Sequence, residues 1–135
     1  MKLNGVDVWQ ASWGGEHPRE RGANMFTIDR STCTLVQSQN FDTHVDNGAV
    51  ARLNVYLQGL SDGTVLVGIS CDDASRKLDA AKATLSALGA DVSDVERRGA
   101  WVFVAEIGDP SKTILDKELT EESALARDPI VAGAF

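Results

Sequence analysis

Between residues 50 and 107 the apolar residues change their spacing three times, and this alternation limits the fold more than any other feature. Val50, Leu53, Leu57 and Leu60 recur at i, i+3, i+7 and i+10, a stripe that one helix face would bury. "TVLVGIS" then runs apolar without a break, as a strand covered on both faces does. A second helical stripe follows in Leu78, Ala81, Leu85 and Leu88, on a helix expected to start near Asp73 and to stop at Gly89. "AWVFVAEI", residues 100–107, is the next buried strand. Asp46 or Asn47 is placed to cap the first helix, and Gly59 with "SDG" to end it.

Upstream, "ANMFTID" and "CTLVQSQNF" read as two strands joined through "RST", a hairpin pattern. "LNGVDVWQ" reads as a short hairpin or edge strand with Asn4-Gly5 at its turn. Strand, helix, strand, helix, strand in this order predicts two β-α-β crossovers. The expected fold class is therefore α/β, a layered sandwich with a mixed, partly parallel sheet flanked by helices. "SKTILDKELTEESALA" reads as a weak amphipathic helix or a wrapping arm.

Length and charge narrow the function. A chain of 135 residues makes one domain, residues 1–135, large enough to bury a core. The net charge of −7 argues against nucleic acid, which needs a basic face, and against anionic membranes. Two cysteines, Cys33 and Cys71, are too few for a disulfide scaffold or a structural zinc site and read as unpaired thiols. His17 and His44 show no metal-ligand spacing, so neither metal nor cofactor is expected. Phosphate-binding and nucleophile motifs are lacking, and with them any reason to expect an enzyme.

The chemistry-bearing residues cluster around "CDDAS". Asp73 is placed to cap the helix that follows, which leaves Asp72 as the spare acid beyond the end of a strand. Arg21 and Arg98 flank the same sheet edge by their position in the sequence. Arginines are mostly solvated surface residues. Arg together with Asp, however, supplies the fork of donors and the bidentate acceptor that grip adjacent hydroxyls of a neutral sugar. Trp101, among apolar neighbours, reads as core; Trp13, before Gly14-Gly15, reads as an exposed stacking platform.

"RGANMFTID", "FDT", "LSDGTVLVGISCDDASRKL", "LSALGA" and "RRGAWVFV" together resemble the interleukin-like EMT inducer/PANDER domain. Members run R-G-[IL]-N before a strand, F-D-T before a helix and D-G-T-[VI] before the central strand. D-E-A-S, L-G-S and R-D-[ST]-W-A-F follow in order. The resemblance covers about residues 3–107 and leaves 108–135 as a C-terminal extension.

The family includes cytokine-like proteins, modules of hyaluronan-related proteins, and the lectin-like stem domain of a transferase acting on O-linked mannose. The stem domain's sugar site uses three residues, which would fall on Arg21, Asp72 and Arg98; beside them Asp73, Trp13 and His44 are this chain's supporting candidates. Here Asp73 replaces Glu, His44 stands where an aromatic is common, and Gly99-Ala100 replaces Asp-Ser or Asp-Thr, removing a carboxylate that orients the arginine. The resemblance implies a non-enzymatic, extracellular carbohydrate-binding module for a glycan with N-acetylglucosamine- or galactose-type ends. A shallow site of this kind gains avidity from a homo-oligomer. The alternative it implies is a secreted cytokine-like protein that binds a receptor. No apolar leader opens this sequence.

Overall fold

The protein, seen in a computed structural model, is described over residues 1–3, 5–10 and 20–125. A small hairpin of β1 (Lys2–Leu3) and β2 (Val6–Asp7) opens the chain. The main sheet holds β3 (Gly22–Asp29), β4 (Thr34–Phe41), β5 (Val65–Cys71), β6 (Ala100–Glu106) and β7 (Asp109–Glu118) in the order β4-β3-β5-β6-β7. Helices α1 (Ala49–Gln58) and α2 (Asp79–Ala87) pack on one face, and a short α3 (Glu121–Leu125) follows β7.

Every neighbouring pair in this sheet is antiparallel, which corrects the expected partly parallel α/β sandwich: the described chain is mostly β. Both connections break the expectation for identifiable reasons. Helix α1 does link two strands of the same direction, but β3 lies between them. Helix α2 is followed by a return segment, residues 89–99, that brings the chain back to the end it left. That segment runs beside β7: Thr113 Oγ1 donates to the Leu88 carbonyl, Lys117 Nζ donates to the Asp91 carbonyl, and the Glu96 amide donates to the Leu119 carbonyl. Ala90, Val92 and Val95 bury along it, so it is a packed element without regular structure.

The extension is corrected as well. Residues 109–118 form an edge strand, not a helix or an arm, because Ile107-Gly108 closes a two-residue hairpin onto β6. Gly108 has φ +90, the conformation such a turn requires.

Strand alternation explains why the central strands look apolar throughout. Met25, Leu66, Trp101 and Phe103 face α1 and α2, where Leu53, Leu57, Leu78, Ala81 and Leu85 meet them. Each such side chain contributes about 1.5–3 kcal/mol by leaving water. Phe26, Ile28, Val65, Val67 and Val104 face the other way and are covered by Met1, Leu3 and Trp9, with Trp9 edge-on to Phe26 at 5.3 Å. Cys33 lies in the β3–β4 hairpin and Cys71 at the opposite end of the sheet, opposite Gly22. They are free, and about seven residues of strand between them put a bond out of reach.

Candidate functional site

One end of the sheet gathers the start of β3, the end of β4, the end of β5 and the start of β6. Arg21, the loop 42–48, the loop 72–78 and Arg97-Arg98-Gly99 therefore meet there. The first of these is fixed by "RGAN". Gly22 has φ +105, and a Cβ there would lie 2.2 Å from the Phe41 carbonyl oxygen, so only glycine lets the two strands close. Asn24 is buried, donates to the Glu20 carbonyl at 2.8 Å and accepts from Asn40 at 2.9 Å. Asn40 also donates to the Arg21 carbonyl, so the backbone carrying Arg21 is held on both sides.

Arg21 grips Asp42 with two parallel bonds, Nε to Oδ1 at 3.3 Å and Nη2 to Oδ2 at 2.9 Å. Its side chain is only 11% exposed. That bond and the Asp42 charge hold the guanidinium above its ordinary pKa, and the charges of Asp72 and Asp73 add to the effect. Burial works against ionising Asp42, but Arg21 and the amides of His44 and Val45 overcome it, and its pKa lies below the usual carboxylate value.

Asp73 does not cap a helix. Helix α2 begins six residues later at Asp79, behind Leu78 and without a side-chain cap. The carboxylate of Asp73 is 1% exposed and pins three loops together instead. It accepts from the Ser75 amide at 3.0 Å, the Ser75 hydroxyl at 2.7 Å and the Arg98 amide at 3.4 Å, while its second oxygen meets His44 Nδ1 at 3.1 Å. Its burial raises the cost of charge, yet these partners lower its pKa. Thr43, fully buried, completes the clasp: its hydroxyl donates to the Ala74 carbonyl and its own carbonyl accepts from the Lys77 amide.

Asp72 and Arg98 remain at the surface. Arg98 Nε lies 3.4 Å from Asp72 Oδ1, and Arg98 Nη1 lies 3.3 Å from Glu121 Oε1. Both backbones are left-handed, at φ +56 for Asp72 and +57 for Arg98, a conformation that costs a non-glycine residue about 1 kcal/mol or more. Two of the described chain's three left-handed non-glycine residues thus lie side by side at this sheet end.

Arg21, Asp72, Arg98, Asp73 and His44 are accordingly drawn to one sheet end, although the guanidinium of Arg21 is taken up by Asp42. Trp13 lies outside the described residues. Trp101 is core, stacked on Phe103 at 5.9 Å. The carboxylates that meet Arg98 are those of Asp72 and Glu121. Gly99 itself packs so tightly that a Cβ would lie 2.6 Å from the Glu118 carbonyl oxygen. Sequence reasoning missed Asp42 and Glu121. The signal for Asp42 was "DTH", an acid two residues before an amide it can accept from. For Glu121 it was "TEES", where Thr120 and Ser123 exchange hydrogen bonds at the start of α3. Among the described residues, no three of His, Cys, Asp and Glu are grouped to hold a metal ion.

An antiparallel sheet with helices on one face and a polar site clasped by three loops defines a small globular module of a recognisable kind. The family model described as interleukin-like EMT inducer matches residues 21–109, and the chain belongs to that family. Over 110 residues, 80% of this chain, it is 32% identical to the cell migration-inducing and hyaluronan-binding protein of Mus musculus and 31% identical to that of Homo sapiens. It is 30% identical over 91 residues to the cell surface hyaluronidase of Danio rerio. The chain spans 8%, 8% and 7% of these three relatives' lengths.

Proposed function

We propose that this domain is a non-enzymatic glycan-binding module whose site is the surface around the Asp72–Arg98 pair, with Arg21 beside it at the same sheet end. The observation that carries the reading is the Asp72–Arg98 pair. A fork of donors and a bidentate acceptor stand side by side at the surface, each on a left-handed backbone held by a buried clasp. Such strain persists only where the surroundings impose it, and it gathers at functional sites. Asp72 would accept from two hydroxyls, and the unpaired N–H groups of Arg98 would donate to a ring hydroxyl or an acetamido carbonyl.

Two relatives are named for binding hyaluronan, which supports a carbohydrate ligand. Because this domain is a small part of each, it supports the ligand class more than the particular polymer. Asp73 does not pair with Asp72 as acid and base, since both its oxygens are committed to the clasp. An extracellular setting belongs to the same reading.

Glycan-array screening followed by calorimetry on Asp72→Ala and Arg98→Ala tests it. Each variant should lose about tenfold or more in affinity for the best glycan, the loss expected when a hydrogen bond to a charged group is removed. Unchanged binding in both would overturn the site. Capture of a receptor protein that free sugar does not compete would favour the signalling reading instead.

A further inference from the structure

We infer that Glu121 is a specificity-determining residue: by holding Arg98 against Asp72 it sets the site for uncharged sugars and disfavours glycans that carry a uronate. This rests on the glycan-binding reading above.

Four observations lead to it. First, Glu121 comes from α3, beyond the residues 21–109 that the family model matches. Second, it is placed by construction. The Thr120–Ser123 bonds fix the first turn of α3, and Glu121 in that turn meets Arg98 Nη1 at 3.3 Å. Third, Arg98 therefore stands between two carboxylates, Asp72 and Glu121, and the group of three carries a net charge of −1. Fourth, Arg21 cannot redress the balance, because its charge is matched by Asp42 in a bidentate pair. Arg76 and Arg97 stand exposed on the same loops and, among the described residues, form no ion pair with this group, so their solvated charges act on it only through water.

A neutral sugar meets this arrangement without penalty, since Arg98 keeps N–H groups that neither carboxylate occupies. A uronate must either displace Glu121 from Arg98 or lie beside it. One like charge about 6 Å away in a partly hydrated site is worth roughly three- to tenfold in affinity.

The test compares the full chain with Glu121→Gln and with Glu122→Gln, a neighbouring exposed acid whose loss changes the net charge equally. Each is titrated by NMR or calorimetry with neutral N-acetylglucosamine- and galactose-terminated oligosaccharides and with a hyaluronan tetrasaccharide. Glu121→Gln should gain roughly three- to tenfold for the tetrasaccharide and leave the neutral ligands within about twofold. The gain should shrink with added salt. Glu122→Gln should move neither. The inference is overturned if the two variants shift tetrasaccharide binding equally, if Glu121→Gln leaves it unchanged, or if the unaltered chain binds the tetrasaccharide as tightly as the neutral ligands. Absence of binding by every chain to every glycan overturns the glycan reading itself, and the selectivity with it.

Discussion

The two arginines of the candidate site carry the same charge and have opposite situations. Arg21 is 11% exposed and bonded twice to Asp42, whose carboxylate also receives the amides of its own loop. Arg98 is 41% exposed, touches two acids by one long contact each, and sits on a left-handed backbone. The first fastens a corner of the sheet; the second stands open to solvent. A motif of three polar residues therefore divides into one that builds the rim and two that face outward.

The largest effect expected from this contrast is on stability. Arg21→Ala or Asp42→Ala leaves a partly buried charge without its partner and should cost about 2–4 kcal/mol in urea unfolding. A loss under about 0.5 kcal/mol would erase the distinction between the arginines. The same rim should give the protein an acid limb. Asp42 and Asp73 have pKa values below the unfolded one, so the stability they add is complete above about pH 5 and is lost as pH falls through the folded values. Asp42→Asn should flatten that limb, which pH-dependent unfolding would record.

Next comes Cys71, beside Gly22 on the Arg21 rim. Burial, aided by the charges of Glu20 and Asp72, pushes its thiol up to about 11. Its alkylation by iodoacetamide at pH 8 should run about a hundredfold slower than that of a free cysteine, because the thiolate is the reactive form. A normal rate would mean that the rim is open. The smallest effect is the sharpest test of Arg98. Arg98→Gly should raise stability by about 0.5 kcal/mol or more, since glycine accepts φ +57 without strain, while abolishing binding at the proposed site. A stability loss like that of Arg21→Ala would show that Arg98 is structural after all.

Much of this was legible from sequence. The stripes of α1 and α2, the β3–β4 hairpin and the apolar strands β5 and β6 are periodic signals, and those elements exist where periodicity placed them, although α2 begins at Asp79 and not near Asp73. The strand directions were not legible. They depend on residues 89–99, a buried return with no period of its own, held by bonds to β7 that no local pattern announces. Strand β7 itself was hidden by Pro110 and its charged residues, which suit an edge strand. Arg21, Asp72 and Arg98 were singled out by their places in the sequence and by the family resemblance, and the fold brings them to one sheet end. Asp42 and Glu121 were not, because partners distant in sequence are chosen by the fold.

The clasp made by Thr43 and Asp73 also bears on how a ligand is received. Loops that hold one another through a fully buried threonine and aspartate give up their conformational freedom when the protein folds, so on the proposed reading none is left to lose when a sugar arrives. Most of the ordering entropy is thus settled beforehand, and the few polar contacts a monosaccharide can make are left to count as affinity. Arg98 and Glu121 are the side chains whose motion remains to be quenched. The amides of the clasp, those of Ser75 and Lys77 above all, should therefore exchange with solvent only when the whole domain opens.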